Sequence, residues 1–129
     1  MAENNDWRQQ LYDRYPFLQH GGFPSVGDGW RAILEQLCAD LENQVKADKI
    51  EEFSVVQIKE KFGGLRVYCS YEGKVNDRVR ELVRNAEKMS DTTCEVCGKT
   101  GEIRLPKDEP YWYKCCCMAH YLKWLDNYY

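Results

Sequence analysis

Five of the seven cysteines and one of the two histidines fall in one stretch, residues 94–120: CEVCGKTGEIRLPKDEPYWYKCCCMAH. Thiols and imidazole at this density are metal-ligand chemistry. Cys94-Glu95-Val96-Cys97-Gly98 has the form of a zinc knuckle. The two-residue spacing turns both thiolates toward one ion, and Gly98 accepts the tight turn that follows. A second ligand pair must come from Cys115, Cys116, Cys117 and His120. If MAHYLKWLDNYY is helical, Cys117 and His120 stand i, i+3, one turn apart and on one side. Cys116 with His120, at i, i+4, is an alternative. Cys115 is a third and needs the preceding strand to end early. The preferred set is Cys94, Cys97, Cys117 and His120, holding one structural Zn2+ per chain. Four protein ligands leave no position for water or substrate, so the ion is expected to fold the chain and not to activate water.

Elements must bring these residues together. EIRL and YWYKC read as two short strands joined by PKDEP, followed by a helix with Met118, Tyr121, Leu122 and Leu125 on one face. Upstream, Asp6 can cap a short helix with Trp7, Leu11 and Tyr15 four apart. Pro16 and HGGFPSVGDG make a long loop. Asp28 can cap a second helix whose apolar stripe is Trp30, Ile33, Leu34, Leu37, Cys38, Leu41 and Val45. A hairpin follows, Phe53 to Lys59 and Leu65 to Tyr71, with Gly63-Gly64 as its turn. In its second strand Leu65, Val67, Cys69 and Tyr71 share one face, and Arg66, Tyr68 and Ser70 the other. A third helix is expected from about Asn76 to Met89. Val75, Val79, Leu82, Val83 and Ala86 are its buried side, and Arg78, Arg80, Arg84 and Lys88 its wet side. The expected fold class is α+β: N-terminal helices, a central antiparallel hairpin, a third helix and a docked zinc segment with a C-terminal helix. With 129 residues and no Gly/Ser linker, 1–129 reads as one domain, with 1–91 as the core and 92–129 as the zinc-binding segment.

The zinc layout resembles the treble-clef family over about residues 92–127. That resemblance implies an architecture and no particular activity. Nuclease relatives need a histidine on the hairpin, and residues 98–116 contain none. Across most of the chain, GDGWRAILEQLC, VQIKEKFGGLRVY, AEKMSDTTCEVCG and the final histidine resemble a family of small phage and prophage proteins. The matching residues are Gly27 to Trp30, Lys59 to Arg66, Cys94, Cys97, Gly98, Cys117 and His120. The resemblance implies a phage-type origin and attaches no enzymatic role to these positions.

Catalytic chemistry has few other candidates. With His120 a ligand, His20 remains, in a Gly-rich loop without a partner. KFGG lacks the following helix of a phosphate loop, and no nucleophile motif occurs. No apolar run is long enough for a membrane span, the N-terminus does not read as a signal peptide, and seven cysteines suit a reducing bacterial cytoplasm better than a disulfide scaffold. The expectation is a non-enzymatic, zinc-stabilised binding protein acting on a host protein, as an inhibitor of a bacterial defence complex does. The alternative is a protein that binds single-stranded DNA or RNA. Two surfaces are available. Net charge is −3, and the first half carries the acidic excess, with Glu35, Asp40, Glu42 and Asp48 on the second helix. Lys59, Lys61, Arg66 and Trp112 form a basic-aromatic group, and Tyr111, Trp112, Tyr113 and Lys114 interleave rings with a cation. The same rings can instead pack inward.

Overall fold

The computed structural model describes residues 6–105 and 113–128. Helix α1, Trp7–Arg14, starts where the Asp6 side chain accepts the Arg8 N–H. It buries Trp7 and Leu11, and Tyr15 is buried just beyond its end. A 3₁₀ turn at Pro16–Leu18, the two-residue strand β1 at Pro24–Ser25 and a second 3₁₀ turn at Asp28–Trp30 lead into α2, Arg31–Asp48. Strands β2, Ser54–Lys61, and β3, Gly64–Ser70, form the hairpin, and α3 spans Asp77–Ser90. The short strands β4, Glu102–Arg104, and β5, Lys114–Cys116, precede α4, Met118–Tyr128. The class is α+β, as read from the sequence.

The core lies between the helices and one face of the sheet. The α2 stripe Ile33, Leu34, Leu37, Cys38 and Leu41 is buried with Trp30, and Val55, Ile58, Leu65 and Val67 meet it from the hairpin. Each large aliphatic side chain buried this way contributes about 1.5–3 kcal/mol. The sheet order is β1-β2-β3. The β3 edge is closed by α3. Ser90 Oγ accepts the Leu65 N–H at 2.9 Å, and Glu87 Oε2 accepts the Val67 N–H at 3.0 Å. Edge donors that would otherwise recruit another strand are thereby satisfied.

Several expectations need correction. Asp28 does not cap α2, whose N-cap is Trp30 without a side-chain bond. The Asp28 carboxylate turns toward α1, accepting Trp7 Nε1–H at 2.9 Å and Arg8 Nη2–H at 2.8 Å. The hairpin turn comes one residue early, at Phe62 (φ 54°) and Gly63 (φ 84°), with Lys61 opposite Gly64. A two-residue type I′ hairpin turn, whose twist matches the strands, needs positive φ at both central positions, and here Phe62 accepts it. Strand β1 pairs in parallel with β2, Pro24 opposite Ile58. Two residues are too short to show an alternating pattern, so the sequence of this strand reads as loop. Val75 is 63% exposed because it precedes the α3 cap, Asn76, and so lies outside the helix. On α4, Met118 and Leu122 are exposed, since three-residue strands offer the helix too little area to cover a full stripe.

Candidate metal centre

The knuckle forms directly after α3. Cys94 N–H donates to the Lys99 carbonyl at 2.7 Å, and Gly98 N–H donates back to the Cys94 carbonyl at 2.9 Å. Gly98 takes φ 81° at this turn, a conformation cheap only for glycine. Glu95 N–H donates to the Cys115 carbonyl at 2.9 Å, tying the knuckle to β5. Cys117 immediately precedes α4, and its carbonyl accepts the Tyr121 N–H at 2.9 Å. His120 follows on the first turn.

This arrangement brings Cys94, Cys97, Cys117 and His120 together, with their ligand atoms all within 4.8 Å of one another. Cys97 Sγ and Cys117 Sγ are 3.8 Å apart. His120 Nδ1 lies 3.7 Å from Cys94 Sγ and 3.2 Å from Cys117 Sγ. Tetrahedral zinc with Zn–S bonds of about 2.3 Å requires sulfurs about 3.8 Å apart. The donors therefore fit one such ion, with Nδ1 as the imidazole ligand.

Electrostatics set Cys94 apart from Cys97, whose thiol is raised because the bond from Lys99 N–H is outweighed by burial and the neighbouring Cys94 and Cys117 sulfurs. Burial opposes the Cys94 thiolate, but N–H groups of Cys117, Cys97 and Val96 outweigh it and bring the thiol down to about 6. Cys115 is pushed up to about 11 by burial, and burial raises Cys116 as well. Cys115 and Cys116 are buried, outside the cluster, and Cys115 Sγ–H donates to the Asp91 carbonyl at 3.4 Å. Further off, burial pushes the Cys38 and Cys69 thiols up to about 12.

The centre is seated on the core by Gly27-Asp28-Gly29-Trp30. Gly29 N–H donates to the Glu95 carbonyl at 2.7 Å, and Gly27 N–H to Glu95 Oε2 at 3.0 Å. Trp30 Nε1–H donates to the Thr93 carbonyl at 2.8 Å. Sequence reasoning missed Glu95, Thr93 and this use of GDGW. The paired glycines beside a tryptophan were the available signal.

No protein-family model, curated protein or solved structure significantly matches the chain. The phage-type family expected from the sequence is not borne out by a match, and the metal-ligand cluster stands on the chain's own geometry.

The two candidate surfaces fare differently. Glu35 pairs with Arg31 at 3.1 Å, and Glu42 stands 4.0 Å from Lys46. Asp40 accepts from Gln36 and lines the groove between α2 and α3. Asp48 accepts from Gln44 and Asn76 at the far end of α2. These acids do not share one face: Glu35 and Glu42, seven apart, are on the side of α2 facing away from that groove. Lys59, Lys61 and Arg66 do come together. Lys59 is directly opposite Arg66, and Lys61 opposite Gly64. Trp112, with Tyr111 and the PKDEP segment, lies outside the described residues. Tyr113 is exposed and meets Phe62 edge to face. His20 is exposed at the rim of an apolar groove lined by Phe17, Val45, Ile50 and Phe53. Among the described residues, no helix is long and apolar enough to cross a membrane.

Proposed function

We propose that the protein is a non-enzymatic, zinc-stabilised binding protein of the reducing cytoplasm. One observation carries this reading: Cys94, Cys97, Cys117 and His120 supply a full tetrahedral donor set from the chain itself. Three thiolates and one imidazole suit Zn2+ and match structural zinc sites. A catalytic site keeps one position for water. Here the ion would hold the knuckle, the β4–β5 ribbon and α4 in register, a segment too small to fold on its own core. The resemblance to small phage-type proteins supports a host macromolecule as the partner, with the acidic side chains of α2 or the basic-aromatic group as the contact surface. The shared face of Lys59, Lys61 and Arg66 favours the second.

Cobalt substitution tests the closed site. A Co2+-loaded protein is expected to show the absorption of a tetrahedral, thiolate-rich complex, unchanged when azide or cyanide is added. A spectrum that shifts with added anion reveals an open position and overturns the reading.

A further inference from the structure

We infer that the solvent face of the β2–β3 hairpin is a binding platform for single-stranded nucleic acid. This rests on the reading of the chain as a binding protein and names its partner.

The pleat puts Ile58, Leu65 and Val67 into the core and turns Lys59, Lys61, Arg66 and Tyr68 outward. From the open end toward the tip, the face presents Gln57 beside Tyr68, Lys59 beside Arg66, and Lys61 beside Gly64. Phe62 follows at the turn, and Tyr113 lies beyond it. Each step of two residues advances about 7 Å, so the row is long enough for several nucleotides.

Two features select the partner. The first is charge. Like charges directly opposite on paired strands destabilise a hairpin. Yet Lys59 faces Arg66, and among the described residues no carboxylate lies within ion-pair distance of Lys59, Lys61 or Arg66. Asp91 borders the patch, its Oδ1 beside Gly64 near Arg66 Nη1, without pairing. A polyanion supplies the missing counter-charge. The acids of α2, by contrast, each have partners close by.

The second feature is the rings. Tyr68 is 42% exposed, Phe62 61% and Tyr113 38%. Lys59 Nζ lies 5.9 Å from the Tyr68 ring centre, and Lys61 Nζ 5.5 Å from that of Phe62. Exposed rings flanked by cations let unpaired bases stack while the phosphates meet the charges. A duplex hides its base faces, and an acidic peptide offers none to stack, so the rings favour a single strand over both. The zinc segment contributes to the platform. Gly63 approaches Ile103 and Tyr113 so closely that a Cβ there would stand 2.9 Å and 3.1 Å from their side chains. The hairpin tip thus rests on Ile103 of β4 and on Tyr113, just before β5, whose ring meets Phe62 there.

Fluorescence anisotropy with the zinc-loaded full chain tests this. The probes are a labelled mixed-sequence single strand, as DNA and as RNA, its duplex, and polyglutamate. Binding is expected for a single strand, more tightly than for duplex or polyglutamate. The log–log salt slope should be about −2 for three cations. Lys59→Glu with Lys61→Glu should weaken binding at least about tenfold and flatten that slope. Tyr68→Ala and Phe62→Ala should each weaken it about 5- to 150-fold with the slope kept. Glu35→Lys with Glu42→Lys should not weaken it. All substituted side chains are at the surface, and circular dichroism verifies folding. No binding to either single strand, equal binding to duplex or polyglutamate, or unaltered binding by the Tyr68 and Phe62 variants overturns the proposal. Such a failure with an anion-insensitive cobalt spectrum removes only this partner. An anion-sensitive spectrum removes the binding-protein reading itself.

Discussion

Gly29 is packed against Cys94 so tightly that a Cβ on Gly29 would stand 1.9 Å from the Cys94 carbonyl oxygen and 2.6 Å from Gly98 N. That contact couples the start of α2 to the metal-ligand knuckle, and the Gly29–Glu95 backbone bond lies beside it. Metal binding and core packing are therefore one problem for this chain. The Asp28 carboxylate extends the same node to α1 through Trp7 and Arg8.

Gly29→Ala should accordingly damage both. No flexible side chain can move aside, because the obstructing atoms are backbone. The expected cost lies at or above the top of the usual range of about 1–3 kcal/mol for overpacking. Zinc affinity should fall with it. Gly73→Ala is the control. Its Cβ meets nothing within 4 Å, but φ is +91°. It should cost about 1–2 kcal/mol from backbone conformation alone. Competition with a chromogenic chelator should show weakened zinc binding only for Gly29→Ala. Equal zinc affinity in both variants would mean that the knuckle does not depend on its seat.

The three consecutive cysteines should separate cleanly under substitution. Cys97→Ser and Cys117→Ser remove a donor from the cluster, so zinc per chain should fall well below one and the melting temperature should drop. Cys115→Ser and Cys116→Ser leave all four donors in place and should keep one zinc per chain. Elemental analysis of purified protein reads the difference. Zinc loss in Cys116→Ser with zinc retained in Cys117→Ser would shift the ligand register by one residue.

Ser90 is fully buried, and its Oγ links two elements. It accepts the Leu65 N–H at 2.9 Å and donates to the Glu87 carbonyl at 2.5 Å. Ser90→Ala leaves the Leu65 N–H without its partner at a closed edge. Loss of about 1–3 kcal/mol is expected. Hydrogen exchange of the Leu65 amide should quicken more than that of Ile58. Unchanged protection at Leu65 would show that the edge is held by packing alone.

Much of this was legible from periodicity. The stripe from Trp30 to Leu41 fixed α2, because helical spacing of large apolar residues admits few other readings. The outward set of Arg66 and Tyr68 followed from alternation in β3. What escaped the sequence was tertiary. Asp28 has the residue type of a cap, yet Trp7 and Arg8 compete for its carboxylate, and nothing local reveals them. Ser90 reads as the end of a helix, and only the β3 edge gives it a role. The glycines of GDGW signalled close approach without saying to what. At the metal, the i, i+3 relation of Cys117 and His120 depended on where α4 begins. The structure starts that helix at Met118, which leaves Cys115 and Cys116 in the strand.

The Asp28 node also predicts a pH dependence. Hydrogen bonds from Trp7 and then Arg8 hold the Asp28 carboxyl below its ordinary value. A carboxylate depressed by folding adds stability that is fully present above the unfolded-state value. That contribution is lost as pH falls through the folded one. Asp28 is largely exposed and Arg8 is shared with Asp6, so solvent screening limits the effect to less than about 1 kcal/mol. Acid would also release a metal ion held by the Cys3His group by protonating its ligands, which acts on wild type and variant alike. The informative quantity is the difference in stability between wild type and Asp28→Asn, followed by chemical denaturation from about pH 7 to about pH 3. Asp28→Asn should be less stable at neutral pH, and the gap should narrow through the acid limb. Glu95 has the opposite sign. Burial raises its carboxyl, against the bond from Gly27, so its contribution is largest in acid and declines as pH rises through the folded value. A Glu95→Gln series should therefore diverge from wild type in the other direction. A wild-type-minus-Asp28→Asn difference that stays constant across the range would place the role of Asp28 in shape and not in charge.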